Sequence, residues 1–445
     1  MEYQNGRFRH NKCHILRLPI ELQIQIFTEC MFQPFAQLED QHQAPQMFLS
    51  VCRNWRDLAY ATPSLWSSFE LCFGTWSLNF EDPEGDAFLL SRMKLWLRRS
   101  GNYALSVKIS YETPVPFPRD RKMRNFELSM PSSMLAPLLE KTPKAYFPLL
   151  ERLVLNPIQL SLPSSTPELL DIRPLASSCG QLTRLHINLE AGRALTLNDC
   201  AIILSHNPNL TSCSLYAQCI LDGTHTFPAE KIELPVLTDF HLMVYSNYLI
   251  HDQSVEAALM DFLGTLELYA LKSLNVEWFL NTNRRAWSSF HPAFVSFLES
   301  LKPTLETLRL AYIPMSEEQM IDCMRAVPYL TSVELLFTLA EEPEGPVVTD
   351  TLWKALTIPD TTEGESGHSG GCNVEPLLPL IESMNLQFHG SCCSERELVH
   401  FVDSRADAEL DFHSLKLRTR IAILHMNNLE RELSLWRQKG IEVYT

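Results

Sequence analysis

Val327-Pro328-Tyr329-Leu330-Thr331-Ser332-Val333-Glu334-Leu335 reduces to a short template, apolar-x-x-apolar-x-apolar, on Leu330, Val333 and Leu335. The last two apolar positions alternate with Glu334, so they share one face of a short strand and Glu334 takes the other. Pro328 ends the helix-compatible stretch 317–327 ahead of it and turns the chain into the strand. A strand, a returning helix and a parallel strand cannot bury such leucines without neighbours, so the reading stands or falls on recurrence.

The template recurs. It appears at Trp66/Phe69/Leu71, Ala104/Val107/Ile109, Leu150/Leu153/Leu155, Leu182/Leu185/Ile187 and Leu210/Cys213/Leu215. It continues at Leu237/Phe240/Leu242, Leu271/Leu274/Val276, Leu305/Leu308/Leu310 and Leu330/Val333/Leu335, with weaker copies at Ile381/Met384/Leu386 and Phe412/Leu415/Leu417. Copies in the middle of the chain lie roughly 25 to 35 residues apart, near the leucine-rich-repeat period. Prolines stand at matching offsets in Phe147-Pro148-Leu149-Leu150, Asn207-Pro208-Asn209-Leu210 and Leu234-Pro235-Val236-Leu237. Helix-compatible stretches at 198–204, 255–263 and 292–301 separate the copies. The fold class expected is therefore α/β: parallel strands with returning helices in an irregular leucine-rich-repeat-like solenoid over 65–445.

The interval from Leu339 to Leu377 exceeds one coil. It holds the acidic Glu341-Glu342-Pro343-Glu344-Gly345-Pro346, a helix expected at 349–356 and a Gly/Ser/Glu-rich run at 361–373. This run is read as a flexible surface loop, at about 357–375. A helix expected over 427–438, with Arg431, Arg437 and Lys439 on its polar side, would cap the last coil.

Ahead of the repeats lies LRLPIELQIQIFTECM (16–31). Pro19 suits the first position of a helix and Glu21 suits the positive end of its dipole. Ile20, Ile24, Phe27 and Met31 form one apolar stripe, and Leu22, Ile26 and Cys30 form a second. A short helix apolar on two sides is either deeply buried or docked to another protein. A second helical pattern over 47–59 places Phe48, Val51, Trp55 and Leu58 at helix spacing and stops at Thr62-Pro63.

The two halves together, Leu18, Pro19, Glu21, Ile26 and Phe27 followed by Val51, Cys52, Arg53, Trp55, Arg56, Leu58 and Ala59, resemble an F-box. The continuation Thr62-Pro63-Ser64-Leu65-Trp66 resembles the F-box-like proteins expanded in mushroom-forming fungi, as does the C-terminal part, 395–445. The chain departs from the pattern over 33–46, where the connection is longer and richer in Gln, leaving the middle helix of the three-helix unit open. The resemblance implies an N-terminal tail at 1–14, an F-box-like helical domain at 15–64 and the repeats beyond. It further implies a Skp-family adaptor as partner and, through it, a cullin–RING ubiquitin ligase. Leu18, Pro19 and Phe27 are then the leading contacts. Glu21, Ile24, Ile26, Val51 and Cys52 complete the surface, and Trp55 braces the helices from within.

Composition narrows the function. The 445 residues carry a formal net charge of −16, which argues against phosphate-backbone binding and hence against nucleic acid as partner. No apolar run marks a secretory signal at the start or a membrane span, so the chain reads as cytoplasmic or nuclear, not secreted, with no membrane partner. The 12 cysteines are scattered and several sit in apolar runs, as small hydrophobes in a reducing compartment do.

Catalytic and metal chemistry finds little support. Gly367-His368-Ser369-Gly370-Gly371 matches G-x-S-x-G, but a nucleophile elbow needs an apolar strand before it and a helix after, and both flanks here are loop-like. His389 with Cys392 and Cys393 is the one tight group of metal-ligating types, without a paired spacing. No phosphate-binding glycine motif is present. No catalytic residue, cofactor or metal is assigned.

Residues interleaved with the repeat leucines form a second surface. Arg152, Arg184, His186, Tyr216, Asp239, His241, Glu277, Arg309, Glu334 and Arg418 are its candidate target-binding members, a mixture of charge and hydrogen-bonding types suited to a protein partner. The expected function is a non-catalytic substrate receptor of a Skp–cullin–F-box-type ligase, holding an unknown protein for ubiquitination. The alternative is a leucine-rich-repeat scaffold acting outside ubiquitin transfer.

Overall fold

A computed structural model describes residues 14–31, 35–38, 44–73, 83–111, 123–131, 149–158, 181–188, 195–218, 227, 230–245, 254–279, 284–336, 347–359, 376–388, 390–391, 394–407, 411–419 and 430–444. The tail before His14, the acidic stretch 341–346, the run 361–373 with Ser369, and His389, Cys392 and Cys393 lie outside the described residues. The chain is α/β with parallel strands and divides into two compact units, Met1–Ser165 and Thr166–Thr445. The helices up to residue 64 share the first unit with strands up to Ile158.

In the first unit, α1 (Ile20–Glu29) begins one residue later than expected: Pro19 is its N-cap, extended at φ −46° and ψ 146°. Between α1 and the next helix, Ala36–Gln37 forms β1, which runs parallel to β2 (Ser68–Phe73). Phe35, Ala36 and Leu38 around it are buried, so part of the Gln-rich connection is strand.

The single helix expected over 47–59 is two helices, α2 (Phe48–Val51) and α3 (Arg53–Tyr60). Cys52 between them is extended, and its thiol accepts the Trp55 N–H at 3.5 Å in the place of a capping oxygen. Phe27 stacks on Phe48 with ring centres 4.2 Å apart and meets Trp55 edge-on at 4.9 Å. These three rings hold the helices together.

A helix that the repeat pattern did not anticipate, α4 (Pro83–Arg99), sends Trp96 edge-on against Trp66 at 5.1 Å, and the Trp66 indole N–H donates to Ala59 O at 2.8 Å. Strands β3 (Leu105–Tyr111), β4 (Met123–Pro131) and β5 (Arg152–Ile158) continue in parallel from β2. Phe69, Val107, Phe126 and Leu153 form one buried row, and Leu71, Ile109, Leu128 and Leu155 the next. β4 carries a further copy of the template, Met123/Phe126/Leu128, absent from the series read from the sequence.

In the second unit the parallel order is β6 (Arg184–Ile187), β8 (Ser212–Gln218), β10 (Asp239–Tyr245), β12 (Ser273–Phe279), β13 (Thr307–Ala311), β14 (Ser332–Leu336), β16 (Ser383–Phe388), β18 (Ser414–Thr419) and β19 (Glu442–Tyr444). Short β7 (Leu195–Thr196) pairs with β8. Two short pairs stand apart, β9 (Ile232–Glu233) with β11 (Leu266–Glu267) and β15 (Val347–Val348) with β17 (Gly390–Ser391). Helices join the strands: α5 (Leu197–His206), α6 (Ser254–Thr265), α7 (Arg284–Leu301), α8 (Glu317–Ala326), α9 (Asp350–Leu356), α10 (Glu395–Asp407) and α11 (Glu430–Gln438).

The template leucines lie in register. Leu185, Cys213, Phe240, Leu274, Leu308, Val333, Met384 and Leu415 form one buried row. At the strand starts one hydrogen-bond pattern repeats. Thr211 and Ser212 both donate their N–H to Thr183 O, and Thr238 and Asp239 both donate to Thr211 O. The same sharing recurs at Thr238, Lys272, Glu306, Thr331 and Glu382 as acceptors. The Thr211 and Thr238 hydroxyls add a third bond, each at 2.9 Å.

Side-chain caps fix where two of the helices begin. Thr196 with Asp199 and Ser316 with Gln319 form reciprocal capping boxes. α7 runs through Pro292 where a start had been expected; Pro292 is exposed, while Trp287 and Phe294, ring centres 5.4 Å apart, keep the apolar face continuous past it. At the C-terminal end Trp436 of α11 is buried and donates to Asp403 at 2.8 Å, but β19, not the helix, pairs with β18.

The expected loop at about 357–375 is tied at its start: Thr357 N donates to Trp353 O, and Ile358 N to Ser404 Oγ at 3.2 Å. Arg405 is fully buried and gives its guanidinium to the carbonyls of Leu356, Leu377 and Leu378. Burial pushes its pKa down to about 10.

Candidate functional site

The first surface belongs to the N-terminal helices. Phe27 turns inward (1% exposed), while Ile20 is 56% and Leu22 45% exposed. Leu18 and Met47 are exposed too, and Val51 of α2 is 53% exposed. Pro19 and Glu21 are exposed, and Ile24, Ile26, Cys52 and Trp55 are half-buried. Phe27, expected as a leading surface contact, is instead core, because its ring packs on Phe48 and Trp55. Among the described residues, Leu18, Ile20, Leu22, Met47 and Val51 are exposed aliphatic side chains of this region. Ile20, Leu22 and Met47 are additions to the expected set: Ile20 belongs to the first stripe of α1, Leu22 to the second, and Met47 is the residue before α2.

The second surface is the polar face of the strands. In the second unit, one register row crosses the sheet as His186, Ser214, His241, Asn275, Arg309, Glu334, Asn385 and Lys416. The row before it is rich in small hydroxyls: Ser212, Asp239, Ser273, Thr307, Ser332, Ser383 and Ser414, with Arg184 at its start. The row after it holds Tyr216, Met243, Glu277, Ala311, Leu336, Gln387 and Arg418. Alternation alone places these residues together, because period 2 puts every second side chain on one face.

A bonded network runs along this face. Ser214 Oγ lies 3.1 Å from His241 Nδ1, and His241 Nε2 lies 3.4 Å from Glu277 Oε1. Arg309 bonds Glu277 and, at 2.9 Å, Asn275 Oδ1. Its Nε reaches Glu334 Oε2 at 3.2 Å, and Asn385 donates to Glu334 Oε1 at 2.9 Å. The His241 ring and the Arg309 guanidinium beside it hold the Glu277 carboxyl down at about 2, against a cost from burial. Asp239 and Arg184 are exposed and His186 is half-buried. Arg152 lies in the first unit, 4.0 Å from Glu127, which also pairs with Lys108.

The residues beyond the template were missed. Tyr245 and Phe279 follow Met243 and Glu277 by two positions on the same face. Tyr216 stacks with Tyr245, ring centres 4.6 Å apart, and Phe279 packs on Tyr312 at 4.6 Å. Extending the alternation past the template by two residues would have found both strand aromatics.

Ser214, His241 and Glu277 stand in the order of an acid–base relay. The main-chain N–H groups around Ser214 are engaged in the ladder linking β6, β8 and β10, so the main chain there supplies no oxyanion donor to go with it. Among the described residues no group of His, Cys, Asp and Glu could hold a metal, and no helix is long and apolar enough to cross a membrane. Cys200, Cys213 and Cys323 are buried free thiols, and burial pushes Cys323 up to about 12. No protein-family model and no curated protein matches the chain.

Proposed function

We propose that this chain is the substrate-recognition subunit of a Skp–cullin–F-box-type ubiquitin ligase. The N-terminal helices dock on a Skp-family adaptor, and the leucine-rich-repeat-like strands carry the target. One observation carries the reading. The helical hairpin already has a closed aromatic core in Phe27, Phe48 and Trp55, yet it leaves Leu18, Ile20, Leu22 and Val51 exposed. Apolar side chains left outside a closed core suit a protein interface.

The proposed chemistry is tethering. One molecule that binds adaptor and target together raises the effective concentration of a target lysine near a charged conjugating enzyme. The chain contributes no acid, base or nucleophile to that transfer. Co-expression with a Skp-family adaptor tests the reading. A stable complex is expected, abolished by Leu18→Asp or Pro19→Asp while the melting temperature holds; wild-type chain that elutes free of adaptor overturns it.

A further inference from the structure

We propose that the strand face from β8 to β14 binds an extended basic segment of the partner protein. An arginine or lysine side chain of that segment seats on Glu277, with its aliphatic stem against Met243 and Phe279. The inference rests on the receptor reading above and names the chemistry of the target.

Charge comes first. Between β8 and β14 the face carries the carboxylates Asp239, Glu277 and Glu334 against the single guanidinium of Arg309. Three carboxylates against one guanidinium leave the strands between β8 and β14 acidic on this face. Their partners differ. Glu334 is taken at both oxygens, by Arg309 and by Asn385. Glu277 binds Arg309 and His241 through Oε1, and among the described residues Oε2 has no partner. Glu277 therefore keeps an acceptor oxygen for a cation from outside, and His241 and Arg309 fix where it sits.

The surroundings favour a long cationic side chain. Met243 is the register neighbour of Glu277 on β10, and Tyr245 is the register neighbour of Phe279. Phe279 is 44% exposed. Tyr245 beside it is buried, so a methylene stem covers the Phe279 ring while its charged head reaches the carboxylate, and an aromatic face itself attracts a cation. On the other side of the polar row, Ser212, Ser273, Thr307 and Ser332 are small, so a main chain can approach closely. Four inter-strand steps from β8 to β14 span about 19 Å at about 4.8 Å each, the length of about six extended residues.

Fluorescence polarisation of labelled seven-residue peptide pools against the purified chain tests this. The pools carry Arg, Lys, Glu or Ala fixed at the centre. The Arg and Lys pools are expected to bind at least about tenfold tighter than the other two, and more weakly as NaCl rises. Glu277→Gln and, independently, the exposed Phe279→Ser should each remove most of that preference. Equal binding of all four pools, a preference for the Glu pool, or a basic preference untouched by both variants overturns the inference. Adaptor capture on the same samples separates the two readings. Capture without pool selectivity sinks only this inference, and basic selectivity in a chain that captures no adaptor supports this inference and sinks the receptor reading.

Discussion

The Arg405 guanidinium donates to the main-chain carbonyl of Leu378 at 2.8 Å, and Leu378 sits at φ 52°, in the left-handed region. That conformation costs a leucine about 1–2 kcal/mol. It persists because the side chain is fully buried and because the same guanidinium holds the carbonyls of Leu377 and Leu356, at 2.9 Å and 2.5 Å. Arg405 thus ties the end of α9 to the chain entering β16. Among the described residues it has no carboxylate partner; carbonyl oxygens and the Phe401 ring, whose centre lies 5.8 Å from the guanidinium carbon, offset the burial of its charge.

Arg405→Met strips donors from three buried carbonyls, at about 1–3 kcal/mol for each one left unsatisfied. The expected loss is roughly 3–5 kcal/mol, read as a lower denaturation midpoint. Arg405→Lys should recover less than half of it, because an ammonium cannot span the fork. An unchanged midpoint in both variants contradicts this role.

Phe27 and Ile20 lie on one helix and should behave oppositely. Phe27→Ala opens a hole between Phe48 and Trp55 and should cost about 3–5 kcal/mol. Ile20→Ala removes an exposed side chain and should stay within about 0.5 kcal/mol. Thermal unfolding of the two variants side by side checks the contrast.

Glu277 predicts a pH dependence. Its folded value of about 2 lies below the ordinary 4.5, so between those values the unfolded chain binds more protons. The stability it contributes is present above about pH 4.5 and disappears as pH falls toward 2. Discounted for solvent screening, the contribution is roughly 1–2 kcal/mol. The stability gap between wild type and Glu277→Gln, measured by urea denaturation from pH 6 to pH 2.5, should shrink steadily. A gap independent of pH contradicts the assignment.

Much of this was legible in the sequence, and the limits have physical causes. Alternating leucines found the strands from β8 to β14 because buried rows demand strict period 2. β4 escaped although Met123, Phe126 and Leu128 obey the same template. β19 escaped because Val443 is a single apolar residue on a three-residue edge strand. The break at Cys52 is invisible to periodicity, since Phe48 and Trp55 keep helical spacing across it and only the thiol cap records the change. Burial within α1 was readable only as two stripes: nothing in the sequence says that Phe27 turns inward while Ile20 and Leu22 do not. The face residues of the strands were legible one by one, but the bonds joining His241, Glu277, Arg309 and Glu334 depend on register, which no single strand reveals.

Titration calorimetry of the purified chain with a purified Skp-family adaptor decides whether the exposed face of α1 is a docking surface. Saturable one-to-one binding is expected, weakened at least about 100-fold, roughly 2.7 kcal/mol, by the double variant Ile20→Asp, Leu22→Asp, with the melting temperature unchanged. No heat of binding for the wild type, or equal binding by the double variant, would contradict it.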